Sequence, residues 1–337
     1  MKCNFIQSQK MSLKIIKAGL LDTIQDQGRY GFQHLGVNPS GAMDVFSSKL
    51  ANSLLGNELL TPVIEMHFPA PEILFEEPVI ICISGADFSP VINHHSIPIN
   101  QPVLVNKNTL LQFERIQSGA RSYLSILGGF TLEKWLGSYS TNLKAEAGGW
   151  KGRKLLRGDT LFFMKEFDYS PLLLNSDFFT LRWSAKGINK RPTNKLRIIK
   201  GHEWGWLEDE PGELLSENFC ITKDSDRMAY RLIGKDVNAR KEQLISSAVA
   251  FGTIQLLPNG QLIILMADHQ TTGGYPRIGH IISADLPILA QMGPGDDLSF
   301  ELVDLNTAEV EMREQANYLL HLQTICRSKI ENLYATL

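Results

Sequence analysis

The densest run of reactive side chains is Met266 to Gly279, which reads Met-Ala-Asp-His-Gln-Thr-Thr-Gly-Gly-Tyr-Pro-Arg-Ile-Gly. Asp268 can accept hydrogen bonds or a proton, and His269 titrates near neutrality when unperturbed. Gln270, Thr271 and Thr272 both donate and accept. Gly273-Gly274 lets the backbone turn tightly or approach a ligand closely, and Tyr275-Pro276 adds a flat face and a fixed φ. The apolar run from Leu262 to Leu265 has the length of a buried strand, so the polar cluster is expected at the edge of a core. A polar hairpin loop would use the same residue types. Loops on a rigid scaffold carry function disproportionately, which favours a site.

Three other segments carry comparable chemistry. Thr23 to Gly31 gathers Gln25, Asp26 and Arg29 around two glycines. Arg29 could grip a carboxylate or phosphate with two parallel bonds, or simply pair with Asp26 on the surface. Pro39 to Asp44 leads into a stretch where Ala42, Phe46, Leu50 and Leu54 recur every four residues, which predicts a helix with an apolar stripe. Ser40 is placed to cap that helix, and Gly56-Asn57 to end it. A helix start opened by Ser40-Gly41 could also receive an anion, although plain capping is the simpler account. In Ser225 to Leu232, Arg227 and Arg231 stand four apart and so share a face in a helix or a strand. They could meet an anion together, or pair with Asp224 or Asp226.

The elements that must hold these segments are mostly strands. Val79 to Ile83, Val103 to Val105, Leu110 to Phe113 and Tyr123 to Leu127 are short apolar runs broken by turn residues, as in a barrel or sandwich. Between them and the next turn lies a hydroxyl-rich loop, Leu136 to Thr141. Gly158 to Phe163 and Gly295 to Phe300 both read Gly-Asp-x-Leu-x-Phe, a turn opening a strand. That weak repeat points to two halves of related construction. A boundary is placed near Arg191-Pro192, giving domains over 12–190 and 191–305. From 306 to 337 the chain predicts a C-terminal helix with Ala308, Met312, Ala316, Leu319, Cys326, Ile330 and Leu333 on one stripe. Asn306 and Glu309 approximate its capping box.

Bulk properties exclude several classes. The 337 residues exceed what one core usually serves. A net charge of −3 gives no nucleic-acid footprint, and no apolar run approaches a membrane span. The first ten residues hold no apolar signal segment and read as an extension or a misplaced start before Met11. Four scattered cysteines lack any zinc-ligand spacing, so no metal site is expected, and reduced thiols fit a cytoplasmic protein. Neither phosphate-binding glycine fingerprint is present.

Six motifs, taken together and in order, resemble the allophanate hydrolase subunit 2 family. They are Thr23-x-Gln25-Asp26-x-Gly28-Arg29, Ser40 to Asp44, Ala51-Asn52-x-Leu54-x-Gly56-Asn57, Leu136-Gly137-Ser138-x-Ser140-Thr141, Ser225-x-Arg227-Met228-x-Tyr230-Arg231-Leu232, and Asp268-x-Gln270 to Pro276. The resemblance runs from about Met11 to Phe300. His269 stands where the family usually has Arg. The resemblance implies a mainly β chain with two cyclophilin-like β-barrel domains, short helices and a C-terminal helix. It implies the C subunit of an ATP-dependent 5-oxoprolinase that opens 5-oxoproline to glutamate with a KipI-like B subunit and an A subunit. ATP would be bound by the complex, with Mg. The alternatives it leaves are a KipA-type regulator that antagonises a KipI-like kinase inhibitor, and a biotin-dependent carboxyltransferase component. No biotin-attachment Met-Lys-Met segment occurs, so biotin would arrive on another protein. The expected catalytic residues are Asp26, Arg29, Arg227 and Asp268. The expected binding residues are Gln25, Ser40, Gly41, Asp44, Asn52, Tyr230, Gln255, Gln270, Thr271, Thr272 and Tyr275.

Overall fold

The computed structural model describes residues 11–165, 176–185, 194–208, 211–240 and 242–335. The boundary placed near Arg191-Pro192 and the first ten residues lie outside them. Strands dominate, as the short apolar runs predict. The first half holds two antiparallel six-stranded sheets. One includes Ser12–Lys17, Glu72–Phe75 and Thr109–Phe113, and the other Val79–Asp87, Ser118–Ile126, Val63–Met66 and Thr23–Gln25. Leu13, Ile15, Phe75, Ile81, Leu124 and Phe130 fill the space between them.

The second half closes fully. Seven strands form a barrel whose ends meet where Lys195–Lys200 pairs in parallel with Asp297–Leu302. Leu196, Ile254, Ile264, Phe219 and Phe300 pack inside it. Closure leaves that barrel no unpaired strand edge. The expectation of two barrels therefore meets one closed barrel and one pair of sheets. The repeated Gly-Asp turns do behave alike: Gly158 and Gly295 sit at φ +90° and +93°, and each opens a strand, Thr160–Phe162 and Asp297–Leu302.

The described residues include four α-helices: α1 (Val45–Leu54), α2 (Pro211–Ser216), α3 (Leu286–Ala290) and α4 (Leu305–Ala335). The cap of α1 is Asp44, whose carboxylate accepts from the Ser47 amide at 2.8 Å, rather than Ser40. Ser40 lies too far upstream, at φ +55°, so it cannot reach the first turn's free amides. For α4 the cap is likewise Asp304, which accepts from the Thr307 amide at 2.7 Å, rather than Asn306. The apolar stripe of α4 returns to the first half, where Leu319, Cys326 and Ile330 pack with Phe46, Leu50 and Leu54 of α1. Arg227 and Arg231 do not share a face. The strand starts at Ala229, so its alternation does not reach residue 227; Arg227 is buried and Arg231 exposed.

Candidate functional site

The segment from Asp26 to Ala42 folds back on itself. The Arg29 amide donates to the Pro39 carbonyl at 2.8 Å and the Ala42 amide to the Asp26 carbonyl at 2.9 Å. Gly28 allows this: it sits at φ +87°, and a Cβ there would lie 2.5 Å from the Ser40 carbonyl oxygen. Both oxygens of Asp26 are engaged. Oδ1 accepts from the Gly28 amide at 2.8 Å and from the Ser138 and Ser140 hydroxyls, each at 2.6 Å. Oδ2 accepts from the Tyr139 amide at 2.7 Å. Asp26 thus pins the hydroxyl-rich loop. Arg29 is 1% exposed, donates to the Ser140 carbonyl and stacks 4.5 Å from the centre of the Trp135 ring. Burial lowers its pKa, and the charges of Asp26 and Asp268 oppose that.

Arg227 is the point where the distant motifs meet. Its Nε donates to Asp268 Oδ2 at 2.8 Å and its Nη2 to the Gly41 carbonyl at 2.6 Å, while Nη1 bonds Glu65. Glu65 is wholly buried. Its second oxygen accepts from the Met43 amide and the Tyr123 hydroxyl, both at 2.8 Å. Burial would raise the Glu65 pKa, but the Arg227 guanidinium holds it below the usual carboxylate range. The Tyr123 hydroxyl in turn accepts from the Asp44 amide at 2.8 Å. Asp44 accepts from Gln291 Nε2 at 2.7 Å, and Gln291 Oε1 accepts from the amides of Ala120 and Arg121 at 3.0 and 3.1 Å. Arg121 donates to the Tyr230 hydroxyl at 2.8 Å, which donates to the Met292 carbonyl at 3.0 Å. These bonds form one buried polar seam between the two halves.

Beside the seam a cleft of about 450 Å³ opens between α1, the barrel and α4. Ser40 and His269 line it, joined by Tyr30, Lys49, Phe46 and Phe251. His269 is 4% exposed, and burial lowers its pKa. Its Nδ1 lies 2.6 Å from the Gln270 carbonyl, which can only accept, so Nδ1 carries the proton and Nε2 is left as an acceptor. The buried Ser40 hydroxyl has no partner among the described residues. Lys49 is half-buried, its pKa lowered by burial with no charged group offsetting it.

The structure therefore brings Asp26, Arg29, Ser40, Gly41, Asp44, Arg227, Tyr230 and Asp268 to one region, most of them within the seam. Other expected residues lie outside the seam. Asn52 is on the buried side of α1 itself, donating to the Thr61 carbonyl at 2.8 Å and accepting from Ser125 Oγ at 2.6 Å. Gln25 donates to Thr23 Oγ1 at 3.0 Å. Gln255 is buried beneath Gly273, where a Cβ would lie 2.6 Å from its Nε2. Gln270 bonds Gln255 at 3.5 Å, and the Thr271 carbonyl accepts from the Val249 amide at 3.3 Å. Thr272 and Gly273 pair with Ser247 and Ala248 as a separate ribbon. Tyr275 lines a second cleft, of about 750 Å³, with Arg240, Leu244 and Pro276. The flanking strands Leu262–Leu265 and Arg277–Ile281 are separated by Thr253–Leu256, so the stretch between them is a crossover and not a hairpin.

Sequence reasoning missed Lys49, Glu65, Arg121, Tyr123 and Gln291. Glu65 left a signal: it is the one charge in the buried strand Val63–Met66, a position that demands a counter-ion. Lys49 left one too, as the only charge inside α1 and three residues after Phe46 on the same face.

Comparison with known proteins identifies the family. Residues 35–302 match the family model "Carboxyltransferase domain, subdomain A and B". A Haemophilus influenzae protein, named as the C subunit of 5-oxoprolinase, is 33% identical over 91% of this chain and 96% of its own length. The Escherichia coli protein of the same name is 32% identical over 92% and 97%. The crystal structure of the K. lactis urea amidolyase superposes with a TM-score of 0.83 at 25% identity, covering 94% of this chain but 20% of that one. The chain belongs to the carboxyltransferase subdomain A and B family.

Proposed function

We propose that the chain is the C subunit of a cytoplasmic, ATP-dependent 5-oxoprolinase, inactive alone and completed by a KipI-like B subunit and an A subunit. The observation that carries this is the end-to-end likeness to two proteins named as the C subunit of 5-oxoprolinase. A lactam carbonyl is a poor electrophile. Transfer of the γ-phosphoryl of ATP to the lactam oxygen makes that oxygen part of a leaving group. Water then attacks the carbon and the ring C–N bond breaks, leaving an acyl phosphate, and a second water hydrolyses that acyl phosphate to the free carboxylate and phosphate. Such chemistry calls for fixed donors and cations around the transferring group.

In this reading the cleft holds the substrate, with Ser40 and His269 at its wall. Arg227 and Asp268 are positioning residues: their bonds to Gly41, Glu65 and each other set the separation of the two cleft walls. Asp26 and Arg29 position the Leu136 to Thr141 loop in the same way. ATP, with Mg, is bound by the assembled complex. Both halves are taken as cyclophilin-like, on the strength of their shared Gly-Asp strand openings. Superposing 13–163 on 196–302 tests that, and alignment of the turns alone would reject it.

The test of activity is reconstitution of the three subunits with ATP and 5-oxoproline, followed by glutamate release. Glutamate should appear only when all three are present. Arg227→Lys and Asp268→Asn should each reduce it strongly in protein that still melts cooperatively; full turnover in both would remove the seam from the mechanism. The likeness to a urea amidolyase keeps a carboxyltransferase component as the second reading. Carboxybiotin-dependent carboxyl transfer by the complex, without glutamate release, would favour it. A KipA-type regulator would instead bind a KipI-like protein and form no glutamate.

A further inference from the structure

We propose that the cleft between α1, the barrel and α4 binds a small cyclic amide acid, with Lys49 and Ser40 holding its carboxylate and His269 accepting its ring N–H. This deepens the 5-oxoprolinase reading and rests on it for the choice of ligand. Three observations lead to the chemistry. Lys49 lines the cleft and forms no ion pair among the described residues. A half-buried ammonium without a counter-ion is costly, and an anionic ligand removes that cost. Ser40 is 5% exposed and lines the same cleft, at a backbone φ of +55°, and its hydroxyl, shielded just beneath the wall, has no partner among the described residues. A buried hydroxyl left unpaired is the exception in folded proteins and marks a place where a partner arrives. His269 offers the opposite polarity. Its Nδ1 proton is committed to the Gln270 carbonyl, so its Nε2 accepts and would repel a carboxylate but welcome an N–H.

The ligand that satisfies all three has a carboxylate, a nearby amide N–H and a small apolar body. The apolar requirement comes from Phe46, Phe251 and Leu286, which also line the cleft. Its volume, about 450 Å³, is ample for a five-membered ring and lies within the usual size of ligand pockets.

The experiment is calorimetric titration of the full chain, alone and in the reconstituted complex, with three probes. These are 5-oxoproline, its uncharged carboxamide, and N-methyl-5-oxoproline. The parent should bind 5-oxoproline about tenfold or more tightly than either analogue, the worth of one hydrogen bond to a charged group or slightly more. Lys49→Met should weaken 5-oxoproline by about the same factor and leave the carboxamide unchanged, with Lys49→Arg restoring much of the loss. His269→Leu should erase the difference between 5-oxoproline and its N-methyl form. Equal binding of acid and carboxamide, equal binding by parent and Lys49→Met, or no binding of 5-oxoproline to either chain or complex would overturn the assignment. Turnover is read separately. Lys49-dependent binding without glutamate release would sink the proposed activity and leave the site standing. Glutamate release unchanged by Lys49→Met would sink the site and leave the activity standing.

Discussion

At the scale of single residues, the buried charges make the sharpest statements. Arg227 neutralises Glu65 and Asp268, which are 0% and 14% exposed at the side chain. Arg227→Met would strip the buried Glu65 of its main counter-ion, at a cost of about 3–5 kcal/mol. Adding Glu65→Gln should return part of that loss, because the amide oxygen still accepts from Met43 and Tyr123. Urea denaturation of the two singles and the double measures the coupling; a loss under about 1 kcal/mol for the single change would contradict the buried pairing. Asp22 makes the opposite case. It is fully buried, its Oδ2 accepts from the Gly19 amide at 2.7 Å, and burial pushes its pKa from 3.8 up to about 7 against the pull of that amide and of Lys154. Between those values the folded state keeps a proton that the unfolded chain has lost, so stability falls as pH rises from 3.8 to about 7. Asp22→Asn keeps the acceptor and removes the titration. Its stability relative to the parent should be greater at pH 8 than at pH 5 by urea midpoint, and an equal difference at both would reject the raised pKa.

At the scale of elements, the helices are tied at points a local pattern marks poorly. Asp44 caps α1 and also receives Gln291 from the other half. Asp44→Ala should cost about 1–2 kcal/mol from the cap alone, seen as a lower melting temperature. Gly56 ends α1 at φ +66°, and a Cβ there would lie 2.6 Å from the Cα of Arg327 in α4. Gly56→Ala therefore meets both backbone strain and the α4 main chain. Limited proteolysis should cut α4 sooner in that variant; an unchanged digestion pattern and melting temperature would show that α4 is not seated on this turn. The later part of the α4 stripe, Leu319, Cys326 and Ile330, was legible in the sequence because its contacts repeat along one helix, whereas Met312 and Ala316 of the same stripe stay exposed. The caps of α1 and α4 were not, since several residues near each start can accept and only the path of the chain chooses between Ser40 and Asp44, or between Asn306 and Asp304.

At the scale of the whole molecule, the two halves share interior as well as surface. Met43 leaves the first half and packs in the barrel core, with 0% exposure. Emptying that position with Met43→Ala should cost about 2–5 kcal/mol, by analogy with other buried truncations. It should also loosen the coupling between halves, so that calorimetry resolves two transitions where the parent is expected to show one. A cost below about 1 kcal/mol with a single sharp transition would mean that the seam alone holds the halves together.

By itself the sequence determined what is periodic or contiguous. It specified the strand runs such as Leu262–Leu265, the helices near 45–54 and 305–335, the paired Gly-Asp turns and the six motifs that mark the family. Only the tertiary structure decided which polar residues are consumed and which stay open. Arg227 and Glu65 are 162 positions apart, and nothing in either local pattern says that they meet. Their meeting closes the seam, while Lys49, Ser40 and His269 are left facing a cleft. Periodicity reports which side of an element is buried, whereas the partner of a buried charge is set by where the chain returns.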